Sequence, residues 1–92
     1  MNDVTADSAG DVELQRLKWR SRRGALELEL VLAPFVRTRL AGLDASGRRL
    51  YARLLEHDDW DIFEWIQGRA VPPDPQLEPL IDQIRSANRP SA

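Results

Sequence analysis

Apolar positions recur at helical spacing through most of the chain. Leu14 and Leu17 stand three apart after Asp11, which is placed to cap a helix start. Gly24 interrupts the basic run that follows. A glycine just past a helix is the usual left-handed stop, so the first helix is expected to end near Arg22 or Arg23. A second helix is expected from about Ala25, with Leu28, Leu32, Phe35 and Val36 on one face and Leu40 and Leu43 continuing it. Pro34 lies inside this stretch, where it removes a backbone donor and crowds the preceding turn, so a kink or break is expected there. Residues 28–32 alternate enough to pass for a strand. No second convincing strand exists to pair with them, and helix is the better assignment.

Asp44 or Ser46 can cap a third helix whose Leu50, Tyr51, Leu54 and Leu55 face inward. After a turn at His57–Asp58, Asp58 is a natural N-cap for a fourth helix, with Asp61 as a capping-box variant. Asp59 and Asp61 also suit the positive end of the helix dipole. Ile62, Phe63 and Ile66 form its buried face, and Gly68 its stop. Asp74–Pro75 pairs an N-cap with proline at the first helical position. Leu77, Leu80, Ile81 and Ile84 then make the stripe of a fifth helix, with Pro79 placed late enough to make its start irregular. The small polar residues 1–10 are expected to be a disordered tail, and 88–92 to fray. Residues 11–87 then form one all-α domain, a compact bundle of five short helices joined by short loops.

Composition narrows the function more by exclusion than by assignment. The chain has 92 residues, no cysteine and a single histidine, His57. Disulfides, thiolate metal sites, cysteine nucleophiles and multi-histidine metal sites are thereby excluded. No apolar run approaches the roughly 20 residues that cross a bilayer, so no membrane insertion is expected. Met1 to Gly10 has neither the apolar stretch of a signal peptide nor an arginine-rich presequence pattern, which points to the cytoplasm. There is no phosphate-cradling glycine loop and no GxSxG elbow. His57 stands beside Asp58 and Asp59, but none of the serines has a motif around it, and the acids serve as helix caps. The chain is therefore not expected to be an enzyme.

Charge adds a layout. The net charge is −2. Arg16, Lys18, Arg20, Arg22 and Arg23 form a basic segment, and Glu56, Asp58, Asp59, Asp61 and Glu64 an acidic one. Two such segments on a small body suggest a polar contact surface, with solvated helix faces as the plain alternative. The basic run beside Trp19 leaves a nucleic-acid-binding or antitoxin-like regulatory module as the competing reading. The acidic balance weighs against nucleic acid. Trp65 is expected in the core, and Trp60, among acids, at the surface. Arginine outnumbers lysine twelve to one, a ratio that the pattern alone does not explain.

Arg22–Arg23–Gly24–Ala25–Leu26–Glu27 resembles the RGxxE signature of the succinate dehydrogenase assembly factors, the SdhE-type FAD assembly factors of bacteria. Arg23, Gly24 and Glu27 fill the fixed positions, and Trp19 stands where the family often has an aromatic. Leu28–Glu29–Leu30 and Pro34–Phe35 follow in order. Residues 54–65, LLEHDDWDIFEW, look like the family's LLExxDxDLFxW block, with Ile62 in place of the usual leucine; Glu29 stands where some relatives have aspartate. The resemblance runs from about Leu14 to Ile84.

It implies a protein that binds the flavoprotein subunit of succinate dehydrogenase, and in some bacteria that of fumarate reductase. Such a protein promotes covalent attachment of FAD to a histidine of the partner. It implies no firmly bound cofactor in the chain itself, and a monomer is the default expectation. Arg23, Gly24, Glu27, Trp19, Glu56, Asp58 and Asp61 are the expected partner-binding residues. Arg23 is expected to fork onto a partner carboxylate, Glu27 to accept from partner donors, and Gly24 to let a partner backbone come close. The plain alternative makes Gly24 a helix stop or N-cap and Arg23–Glu27 an i, i+4 ion pair.

Overall fold

The computed structural model describes residues 8–89, with side chains from Val12 onward. Helix α1 spans Ser8–Arg20, α2 Leu26–Thr38, α3 Ala45–Leu54, α4 Asp59–Gln67 and α5 Glu78–Ala87. Short 3-10 turns at Leu40–Gly42 and Pro75–Leu77 lead into α3 and α5. No strand occurs among the described residues, and the chain is an all-α bundle of five helices.

The apolar stripes read from the sequence become one core. Leu28, Leu32 and Phe35 of α2 meet Tyr51 and Leu54 of α3, Ile62, Trp65 and Ile66 of α4, and Leu80, Ile81 and Ile84 of α5. Helix α2 is the central element and packs on α5 and α4. The rings of Phe35 and Tyr51 sit 5.3 Å apart in a tilted pair. Leu17 carries α1 onto the same core.

Local chemistry sets several boundaries as expected. The Asp44 carboxylate accepts the Gly47 N–H and opens α3. Asp58 accepts the Trp60 N–H and opens α4, while Gly68, at φ 81°, closes it in the left-handed region. Asp74 accepts the Gln76 N–H and starts a 3-10 turn rather than a full helix, so α5 begins irregularly at Glu78 with Pro79 in its first turn.

Other boundaries differ. Helix α1 starts at Ser8, so Asp11 lies inside it and residues 8–10 of the expected 1–10 tail are helical; residues 1–7 lie outside the described residues. The helix ends at Arg20, and Gly24 does not adopt a positive φ. A side chain closes α1 instead: Ser21 Oγ donates to the Leu17 carbonyl at 2.7 Å. Helix α2 runs unbroken through Pro34 to Thr38. A helix-interior proline costs about 3 kcal/mol, whereas Leu28, Leu32 and Phe35, flanking it on one buried face, each contribute about 1.5–3 kcal/mol. At the C-terminus Asn88 is held, its Nδ2 donating to Val31 O at 2.7 Å and Ile84 O at 2.9 Å; residues 90–92 lie outside the described residues.

The arginine excess also finds a structural account. Arg20, Arg23, Arg39, Arg48 and Arg85 all donate to backbone carbonyls of other elements or of helix ends. A planar fork serves several carbonyls at once, which a lysine ammonium does less well.

Candidate functional site

Residues 21–25 link α1 to α2, and two buried contacts hold them. Tyr51 OH and Ser21 Oγ lie 2.5 Å apart. Because the Ser21 proton is committed to Leu17 O, the Tyr51 hydroxyl is the donor. Burial pushes the Tyr51 phenol up to about 12, against smaller opposing effects of Ser21 and Arg23.

The second contact is Arg23. Its Nε donates to Asp59 Oδ1 at 2.6 Å, Nη1 to Leu55 O at 2.7 Å and Arg20 O at 3.2 Å, and Nη2 to His57 O at 2.8 Å. One guanidinium therefore joins the end of α1, the α3–α4 turn and the first residue of α4. Asp59 completes the link, because its Oδ2 accepts the Ala25 N–H at 3.3 Å. Ala25 is the N-cap of α2 and has no side-chain cap of its own. A carboxylate 34 residues away thus serves the start of α2, where the helix dipole favours negative charge.

This lock leaves an open groove of about 390 Å³ between the start of α2 and the start of α4. Leu28 and Phe63 give it apolar walls, Trp60 stands at its edge, and Glu27 and Asp58 supply acid. Trp60 is 64% exposed, with its ring 6.2 Å from Phe63. Gly24 sits beside Ala25 on the rim, and a Cβ built on it would meet nothing within 4 Å. That space is open to an approaching surface.

Of the seven expected partner-binding residues, the fold brings Arg23, Gly24, Glu27 and Asp58 together. Glu56 and Asp61 are exposed on the flanking turn and helix, outside the groove lining, and Trp19 projects from the end of α1 with the Arg22 guanidinium 5.5 Å from its ring centroid. Arg23 departs from expectation in its geometry. Its fork is spent inside the protein on Asp59 and three carbonyls, and it does not pair with Glu27. Glu27 lies in the first turn of α2 without closing a capping box, since the cap is Ala25 and not Gly24.

Two residues of this site escaped the expected set. Asp59 looks like a spare acid beside the cap Asp58, but it fills the first fixed Asp of the LLExxDxDLFxW block, and that was the signal that could have found it. Phe63 was assigned to the core but is half-buried and faces the groove. The basic segment does not form a continuous stripe either, because Arg20 and Arg23 turn onto carbonyls and Arg22 onto Trp19. Among the described residues no three His, Asp or Glu side chains gather as a metal site, and no helix is long and apolar enough to cross a membrane.

The chain is similar to proteins of known family. The family model described as flavinator of succinate dehydrogenase matches residues 15–88, which include both motif blocks. A Pseudomonas aeruginosa protein named FAD assembly factor SdhE is 43% identical over 76 residues, covering 83% of this chain and 90% of that protein. Its namesake in Pseudomonas savastanoi pv. phaseolicola is 47% identical over 74 residues, covering 80% and 88%. The namesake in Shewanella oneidensis is 37% identical over 79 residues, covering 86% and 96%.

Proposed function

This chain belongs to the flavinator of succinate dehydrogenase family, and we propose that it binds the flavoprotein subunit of succinate dehydrogenase and promotes covalent attachment of FAD to that subunit. It acts as an assembly factor and not as an enzyme. It holds no FAD firmly, works as a monomer in the cytoplasm, and takes the fumarate reductase flavoprotein as a second client where the source has one.

The observation that carries this reading is the lock between Arg23 and Asp59. It joins the two motif blocks and fixes one exposed face from Gly24 to Phe63. The face offers shape and charge: an aromatic and leucine wall, Glu27 and Asp58, and a glycine that lets a partner backbone approach. It offers no nucleophile. Its contribution is orientation, holding the partner so that its own histidine meets the flavin, and orientation can lower a barrier by several kcal/mol.

The test is co-expression of this chain with the succinate dehydrogenase flavoprotein subunit of its source. Covalent flavin is read as fluorescence of the denatured subunit in a gel. A rise in flavin per subunit is expected when the chain is present. Equal flavin with and without it overturns the proposal.

A further inference from the structure

A second groove, of about 470 Å³, lies on the opposite flank of α2, against the C-terminal end of α1. Leu32 and Val36 form its apolar floor, and Lys18, Arg22 and Arg37 stand on its rim with Glu29 as the one acid. None of these three cations makes an ion pair among the described residues. The two grooves are therefore opposite in sign: the one toward α4 is rimmed by Glu27 and Asp58, the one toward α1 by three cations. Between them the outer face of α2 presents Leu26 at 65% and Leu30 at 63% exposure. Helical spacing explains the arrangement, since Glu27 and Glu29 are two residues apart and fall on opposite flanks of one helix, with Leu26 and Leu30 sharing the ridge.

We propose that the groove between α1 and α2 is a second docking element for the flavoprotein partner, taking an acidic segment that carries one apolar side chain. The apolar side chain sits on Leu32 and Val36, and flanking carboxylates pair with Lys18, Arg22 and Arg37. This rests on the function proposed above and extends it to a surface that neither motif block explains. Charge complementarity selects the occupant: three cations without an ion pair among the described residues, around an apolar floor, favour carboxylates beside a hydrophobic anchor. A nucleotide phosphate fits less well, because the groove runs from the end of α1 along α2 from Glu29 to Arg37, and the first-turn residue that lines it is an acid. A partner spanning both grooves would cover Leu26 and Leu30, which gives these two leucines a use. Opposite charges on the two flanks would also fix the direction in which it sits.

The experiment measures the affinity of the full chain for the purified flavoprotein subunit, at low and at moderate salt. The groove variant is Lys18→Glu with Arg37→Glu. The control is Arg16→Glu with Arg49→Glu, the same charge change at exposed positions outside the groove. A loss of tenfold or more for the groove variant, greatest at low salt, with the control within twofold of wild type, is the expected result. All these side chains are exposed, and circular dichroism verifies the fold; should the reversals unfold it, Lys18→Gln with Arg37→Gln is expected to give a smaller loss of the same kind. Wild-type affinity in the folded groove variant overturns the inference while leaving the proposed function standing. Equal losses in groove variant and control overturn it as bulk electrostatics. So does FAD binding by the isolated chain, or self-association in sedimentation, that the groove variant alone abolishes. A wild-type chain that neither binds the subunit nor raises its flavin content overturns both proposals.

Discussion

Arg23 and Asp59 stand 36 residues apart in sequence and 2.6 Å apart in space. Their side chains are 16% and 29% exposed, which places the pair between a surface bridge and a buried one. A pair that is also hydrogen-bonded to carbonyls and to the Ala25 amide contributes more than the few tenths of a kcal/mol of an exposed bridge. A double-mutant cycle with Arg23→Ala and Asp59→Ala should give a coupling of about 1–2 kcal/mol in chemical denaturation. Arg23→Lys should recover only part of it, because an ammonium cannot reach Asp59, Leu55 O and His57 O together. A coupling near zero would show that the two motif blocks are held by something else.

Substitutions at Gly24 can test fold and docking separately. Its φ is not positive and a Cβ there meets no neighbour, so Gly24→Ala should change stability by no more than about 0.5 kcal/mol. Gly24→Trp should also leave the helical circular dichroism signal intact but abolish the gain in covalent flavin on the co-expressed subunit. Unfolding of the tryptophan variant would instead assign the glycine a purely structural role.

Trp60 offers a large aromatic surface at the edge of the acid-rimmed groove. Exposed aromatics that become buried in an interface commonly carry about 2 kcal/mol or more of binding. Trp60→Ala should therefore weaken binding to the flavoprotein subunit by at least tenfold, with the melting temperature moved by only a few degrees. Unchanged affinity would remove Trp60 from the contact.

Tyr51 makes stability fall at high pH. The folded phenol titrates at about 12 and an unfolded one near 10.0. Above pH 10 the unfolded chain loses this proton while the folded chain keeps it, so the folded state loses ground as pH rises from 10 to 12. The contribution is complete below pH 10, and up to about 3 kcal/mol of it disappears across that window. Denaturation midpoints measured from pH 9 to pH 12 should show the fall, and Tyr51→Phe should flatten it. An identical slope in the phenylalanine variant would assign the loss to other groups.

Boundaries set by local chemistry were legible from the sequence. Asp44 and Asp58 cap their helices and Gly68 stops α4 because each acts on backbone groups within four residues, and the apolar periodicity located the core faces of α2 to α5. The residue order of the two motif blocks likewise marked out most of the site. Only the tertiary structure decided what Arg23 does. A guanidinium on a long stem takes the best-placed acceptors within its reach, and here those are Asp59 and the carbonyls of a turn more than thirty residues away. The same long-range contacts set Asp59 at the start of α2, and burial against the other helices carried α2 through Pro34. Each was decided by packing between segments that are distant in the chain, and sequence spacing alone holds no record of which distant segments meet.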